Sequence, residues 1–187
     1  MKKLILFLLV ATSGYAQAQT TIQNFTLTNV VNEKPFSLDQ CSSLPAVVVL
    51  FMGNECPYDN YYKDRIKQLI DSYAGKVQFL LVNSYDDPQE TPEKMAIHYT
   101  DLGVPYLADK DQTVMENFGA RKSPEAFLIK PTSGKFSIVY SGAIDDNPQV
   151  ATDTKQNYLK DAIDKVLAGQ SVEAMNNRVM GCTIRKK

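Results

Sequence analysis

The residue best placed to do chemistry in this sequence is Cys56, the middle of three cysteines. It follows the apolar run Ala46 to Phe51 after four residues, Met52-Gly53-Asn54-Glu55, and directly precedes Pro57 and a stretch of helical periodicity. A sulfur at that junction faces backbone N–H groups without helical partners and the positive end of the helix dipole, both of which favour thiolate over thiol. A thiolate attacks disulfide sulfur or peroxide oxygen. Glu55, its neighbour, works against ionisation. The non-chemical reading of the position is a half-buried Cys packed as a small apolar side chain.

Cys41 lies in the loop before the apolar run, and Cys182 lies in a tail beyond Gly169. Either can reach Cys56, or the two can pair structurally with each other; an odd number leaves one thiol over in an oxidising compartment. Ser123-Pro124, immediately ahead of the apolar Ala126 to Ile129, can supply a cis peptide facing a thiol on an adjacent strand end. A trans proline opening a strand reads the same. Arg121 and Lys122 add positive charge that either stabilises a thiolate at Cys56 or is simply solvated. Tyr58, Tyr61 and Tyr62 form a partner-binding rim or pack a helix. The single histidine, His98, and the absence of paired cysteine knuckles leave too few ligands for a structural zinc site. Asp86-Asp87 and Asp145-Asp146-Asn147 lack metal-loop spacing and read as turns and caps, and His98 with Asp153 and Ser171 makes no recognisable triad. No cofactor or metal is expected.

Positioning Cys56 requires the alternating elements around it. Phe25 to Val30 and Phe36 to Leu38, separated by Asn32-Glu33-Lys34-Pro35, suggest an N-terminal hairpin. Ala46 to Phe51 is a central strand covered on both faces, and Ile66, Leu69, Ile70 and Tyr73 continue the helix that Pro57 opens and Gly75 closes. Val77 to Val82 is a second buried strand; Thr91-Pro92 opens a helix through about His98. Gln112 to Phe118 is a short helix stopped by Gly119. Ala126 to Ile129 and Phe136 to Tyr140, joined by Pro131-Thr132-Ser133-Gly134, form an antiparallel hairpin. Leu159, Ala162, Ile163, Val166 and Leu167 lie on one stripe of a final helix ending at Gly169. This order predicts an α/β fold, a central mixed β-sheet with helices on both faces and an N-terminal β-hairpin.

Lys2 and Lys3, an apolar run from Leu4 to Val10 and the triplet Ala16-Gln17-Ala18 have the order of a secretory signal, so residues 1–18 read as a signal peptide and 19–187 as one domain with a tail from about 170. The apolar run is too short to span a bilayer. A periplasmic or secreted destination is expected, with no stable membrane insertion after cleavage near Ala18. Without Lys2 and Lys3 the chain has 18 basic against 21 acidic residues, a formal charge of −3. That balance, with no long basic run, argues against nucleic acid or anionic membrane as partners. A composition of 44% hydrophobic and 22% charged residues suits one globular core.

Asn54-Glu55-Cys56-Pro57-Tyr58, Val82-Asn83-Ser84, Tyr106-Leu107-Ala108-Asp109, Phe118-Gly119-Ala120, Ser123-Pro124-Glu125-Ala126-Phe127-Leu128, Tyr140 to Asp146 and Gly181-Cys182-Thr183-Ile184, in this order and spacing, resemble the redoxin branch of the thioredoxin-like superfamily, near the alkyl hydroperoxide reductase and thiol-specific antioxidant proteins. The resemblance implies a thioredoxin-like fold, a cis Pro124 opposite the loop Gly53 to Pro57, and thiol redox chemistry. The sequence departs from that pattern at the first Cys of the CxxC pair carried by many relatives, which is Gly53 here, so no disulfide forms within this loop. It also lacks the Thr three residues and the Pro seven residues before the peroxiredoxin-like Cys; those positions are Gly53 and Val49. The expected function is an exported thiol oxidoreductase or peroxidase acting through a single cysteine in its loop, Cys56, with Cys182 or Cys41 resolving it or serving structurally. Its partner is a thiol/disulfide protein or a small peroxide. The rival is a non-enzymatic binding module that kept the fold and lost turnover with the first Cys. The oligomeric state stays open.

Overall fold

The strongest local signal, six successive apolar residues in Ala46–Phe51, becomes the middle of the molecule. The computed structural model describes residues 20–173 and 177–187, so the expected signal segment, 1–18, lies outside the described residues. Along the chain run β1 (Thr21–Ile22), β2 (Thr26–Asn29), β3 (Lys34–Ser37), β4 (Ala46–Phe51), α1 (Pro57–Ser72), β5 (Val77–Asn83), α2 (Pro92–Met95), β6 (Tyr106–Ala108), α3 (Thr113–Phe118), β7 (Lys122–Ser123), β8 (Glu125–Thr132), β9 (Lys135–Gly142), α4 (Tyr158–Leu167) and β10 (Cys182–Thr183). Eight strands form one sheet in the order β1-β9-β8-β4-β5-β6-β2-β3. β5 runs parallel to β4 and β6, whereas the other pairings are antiparallel, which makes the sheet mixed.

Every residue of β4 is sealed from solvent because alternate side chains feed two separate cores. Val48, Leu50 and Met52 pack with Tyr62 and Ile66 of α1 and Leu159 and Ile163 of α4. Val47, Val49 and Phe51 face the other way, toward Val114, Met115 and Phe118 of α3. Each such Val or Leu contributes roughly 1.5–3 kcal/mol on burial, so β4 is a stiff support for the loop that leaves its C-terminal end.

The expected N-terminal hairpin pairs Thr26 with Ser37 through Asn29 with Lys34. The β8–β9 hairpin turns on Ser133 and Gly134, both at positive φ, the backbone a tight two-residue turn requires. α2 is shorter than expected. Thr91 accepts the Lys94 amide proton as its cap, but the helix stops at Met95 rather than near His98, with Ile97 left 79% exposed and Tyr99 in a left-handed conformation. Asp145 and Asp146 serve the turn after β9. Asp145 accepts from the Asn147 amide, the Tyr62 hydroxyl and Arg65 of α1, while Asp146 accepts from the Lys155 and Gln156 amides. Among the described residues no helix is long and apolar enough to cross a membrane.

Candidate active site

Cys56 sits where β4 hands over to α1. It is the N-cap residue in extended conformation, and Pro57 follows as the first helical residue, where its missing N–H costs nothing. Cys56 is 4% exposed, and its sulfur forms a disulfide with Cys182, 126 residues further along, with Cα atoms 5.9 Å apart. The Ser123–Pro124 peptide is cis, and the Ser123 carbonyl oxygen lies 3.2 Å from the Cys56 sulfur. Proline loop, helix start and tail therefore meet at one sulfur pair. Cys182 arrives on β10, which pairs antiparallel with β7 so that Cys182 opposes Ser123 and Thr183 opposes Lys122.

Two buried carboxyl groups shape the loop before Cys56, and neither was singled out by sequence reasoning. Glu90, 3% exposed, accepts from the backbone amides of Asn54, at 2.8 Å and 3.0 Å, and Glu55, at 3.1 Å, and from the Asn83 carboxamide at 2.7 Å. Asn54 is held further by the Tyr106 hydroxyl and the Gln89 carbonyl. Asp59, fully buried one turn into α1, accepts from the Gly53 amide at 2.7 Å and from the Ser123 hydroxyl, tying the cysteine loop to the proline loop; its Oδ1 has no partner. Burial pushes the Asp59 carboxyl up to about 8, against the downward pull of those two hydrogen bonds. A helical Asp in a first turn looks in sequence like a surface charge complementing the dipole, and only the sheet's closure over it reveals otherwise.

Gly53 stands where the first Cys of a CxxC pair would be, and the structure shows what fills that space. A Cβ built on Gly53 would lie 2.6 and 2.8 Å from carbons of the Tyr85 ring and 3.0 Å from Glu90 Oε1. The departure is thus coupled to an aromatic side chain after β5. The Gly53 carbonyl accepts from the Tyr99 hydroxyl, which completes the fixing of its peptide units.

Cys41 pairs with neither other cysteine. It is buried in the second core, with its thiol pushed up to about 11 by burial. Arg121 flanks the proline loop. Its amide is taken by the Glu125 carboxylate and its carbonyl by the Ile184 amide, and its exposed side chain makes no hydrogen bond or ion pair among the described residues. The three tyrosines divide: Tyr62 belongs to the core, while Tyr58 and Tyr61 stack edge-to-face, with Tyr61 49% exposed. Glu55 is exposed at the mouth of an open cavity of about 260 Å³ beside the disulfide, lined also by Tyr85, Asp87, Gln89 and Glu90.

The Ser123 carbonyl lies against the Cys56 sulfur, and the cavity beside the bridge is lined by the side chains of Glu55, Tyr85, Asp87, Gln89 and Glu90.

No curated protein sequence matches the chain. A hypothetical protein from Sinorhizobium meliloti 1021 is similar in structure, with a TM-score of 0.81 and 28% identity over 93% of this chain and 97% of that one. An uncharacterized conserved protein from Geobacillus kaustophilus also gives 0.81 and 28%, covering 90% and 92%. The exposed lipoprotein thioredoxin Etrx1 from Streptococcus pneumoniae gives 0.57 at 19% identity, covering 79% and 99%, a likeness of fold. With a thioredoxin-like sheet, a cis proline beside the Cys56 sulfur, and residues 18–140 matched by the AhpC/TSA family model, the chain belongs to the AhpC/TSA family.

Proposed function

We propose that this protein is an exported thiol–disulfide oxidoreductase in which Cys56 is the reactive sulfur and Cys182 its intramolecular partner. The observation that carries the reading is the bridge between them, closed at the start of α1 against the cis-proline loop. Family membership and the closed Cys56–Cys182 bridge support exchange with a protein disulfide or dithiol. The signal-like residues 1–18 support export, into a compartment where disulfides persist.

The exchange balances with a dithiol partner. A partner thiolate attacks the sulfur of Cys56; an S–S bond forms to the partner, and Cys182 leaves as a thiolate. The partner's second thiol then attacks its own sulfur in the mixed disulfide and releases Cys56 as a thiolate stabilised by the N-terminus of α1, so that two electrons and two protons have passed to this protein. In reverse, the Cys56 thiolate opens a substrate disulfide and Cys182 closes the cycle by attacking the Cys56 sulfur. The test is mass mapping of the mature protein across dithiothreitol redox buffers, alongside turnover of a disulfide-bonded protein substrate. Cys56→Ser should abolish turnover, and Cys182→Ser should trap a mixed disulfide on Cys56. A bridge that neither opens nor exchanges in buffers as reducing as about −270 mV sinks this reading and leaves the binding module with a permanent staple.

A further inference from the structure

The C-terminal segment carrying Cys182 is anchored to the body by contacts that do not involve sulfur, and the deepest is Gln112. This residue is 3% exposed and precedes α3 with a left-handed backbone, φ 62°, which is unusual for a side chain longer than Asn. Its carboxamide nitrogen donates to the Ser84 carbonyl and to the Arg185 carbonyl, both at 2.8 Å, and its oxygen accepts from the Lys187 amide at 2.8 Å. One side chain therefore grips the tail on both sides of Lys186, while its second N–H fastens it to the end of β5. Ile184, two residues beyond Cys182, is 5% exposed in the second core, and its amide donates to the Arg121 carbonyl. At Gly181 a Cβ would fall 2.3 Å from the Ser123 oxygen, so a residue without one is what lets the tail lie against the proline loop.

We propose that Gln112 is a positioning residue for the Cys56–Cys182 pair: its carboxamide clamps Arg185 and Lys187, so the tail stays docked after reduction and presents Cys182 to Cys56. This rests on the exchange reading above. Without a clamp, closing the bridge must first order a tail that the body does not hold, an entropy cost met at every cycle. With it, Cys182 has a high effective concentration at Cys56, which drives ring closure and lowers the reduction potential. The exposed ion pairs Lys186–Glu116 and Lys187–Asp86 are poor candidates for the same task, being solvated and worth little.

The test compares full-length protein, Gln112→Ala, a chain ending at Ile184, and the combination of the two changes. Because the truncation removes both of the clamp's tail partners and leaves the body untouched, it separates the clamp from any role Gln112 has in the body. Each single change should lower the equilibrium constant for bridge closure at least tenfold, a rise in potential of about 30 mV or more for this two-electron couple. The combination should cost little beyond either alone. A truncated chain with the full-length potential, or additive effects, overturns the proposal. Amide hydrogen exchange in a Cys56→Ser, Cys182→Ser protein gives a readout that needs no redox activity: a Lys187 amide protected without a bridge and exposed once Gln112→Ala is added supports the clamp, and an amide unprotected with Gln112 present, or equally protected without it, overturns it. A full-length protein whose bridge never exchanges, yet whose Lys187 amide shows that Gln112-dependent protection in the variant, refutes the exchange reading and leaves the clamp standing.

Discussion

Replacing Gly53 with Ala adds one methyl group where the structure has no room for it. The backbone there lies outside the left-handed region, so strain in φ does not enter and the effect is steric. The new Cβ would meet two carbons of the Tyr85 ring at 2.6 and 2.8 Å, about 1 Å inside ordinary carbon contact. Glu90 Oε1, at 3.0 Å on the other side, is held by the loop amides and cannot withdraw without releasing them. Overpacking of this kind costs about 1–3 kcal/mol, offset by about 0.4–1 kcal/mol from the stiffer unfolded chain. A net loss of about 1.3 kcal/mol moves the urea midpoint of the oxidised protein down by about 0.6 M for a slope near 2 kcal/mol per M. In a Tyr85→Ala background the methyl group has space, so the same substitution should there cost less than about 0.5 kcal/mol, and the double-mutant cycle should recover most of the clash. Equal midpoints for Gly53→Ala and the unmodified protein, or full additivity with Tyr85→Ala, would refute the steric account of why Gly occupies this position.

Three further outcomes follow from buried groups. Asp59 ionises in the unfolded chain near its ordinary value of 3.8 but holds its proton in the fold up to about 8, so the folded state binds the extra proton between those limits and stability falls as pH rises through them. Asp59→Asn should remove up to about 1.4 kcal/mol of that loss per pH unit between pH 5 and 7.5; urea midpoints that run parallel in the two proteins would contradict it. Gly181→Ala should push the tail off the proline loop and leave more open dithiol than the unmodified protein in a matched glutathione buffer; an unchanged ratio of bridge to dithiol would show that the close approach is unimportant. In the reduced native protein at pH 8, Cys41 should resist maleimide until denaturant is added, because about a thousandth of it is thiolate and its sulfur is buried, whereas labelling of Cys41 as fast as Cys182 would refute its placement in the core.

What the sequence made readable is what local physics controls. The apolar run of β4, the proline at the first turn of α1, the Thr91 cap and the glycine after α3 all act within a few residues, and each marks an element the structure contains. Elements of two or three residues, such as β6, β7 and β10, are too short for any period to show and exist only because a neighbouring strand is there to pair. The site divides the same way. Cys56, Gly53 and the Ser123-Pro124 loop stood out by residue type and position, whereas Glu90 acts on an amide 36 residues away and Gln112 on one 75 residues away. A polar side chain reads as surface until the fold closes over it, and no spacing rule carries that information.

The Glu90 carboxylate makes the two sulfurs mechanically unequal. Because the amides of Asn54 and Glu55 end on Glu90 rather than on anything attached to sulfur, the mounting of Cys56 keeps its form whether the bridge is open or closed. Whatever separation two thiols need beyond a bonded pair must then be absorbed across Gly181 and Cys182, a short hinge between the proline loop and the buried Ile184. Under the exchange reading proposed above, opening the bridge deforms the tail wall of the cleft and spares the Glu90 wall, so a partner touching the Glu90 side would meet the same surface in both oxidation states, while one touching the tail would tell them apart.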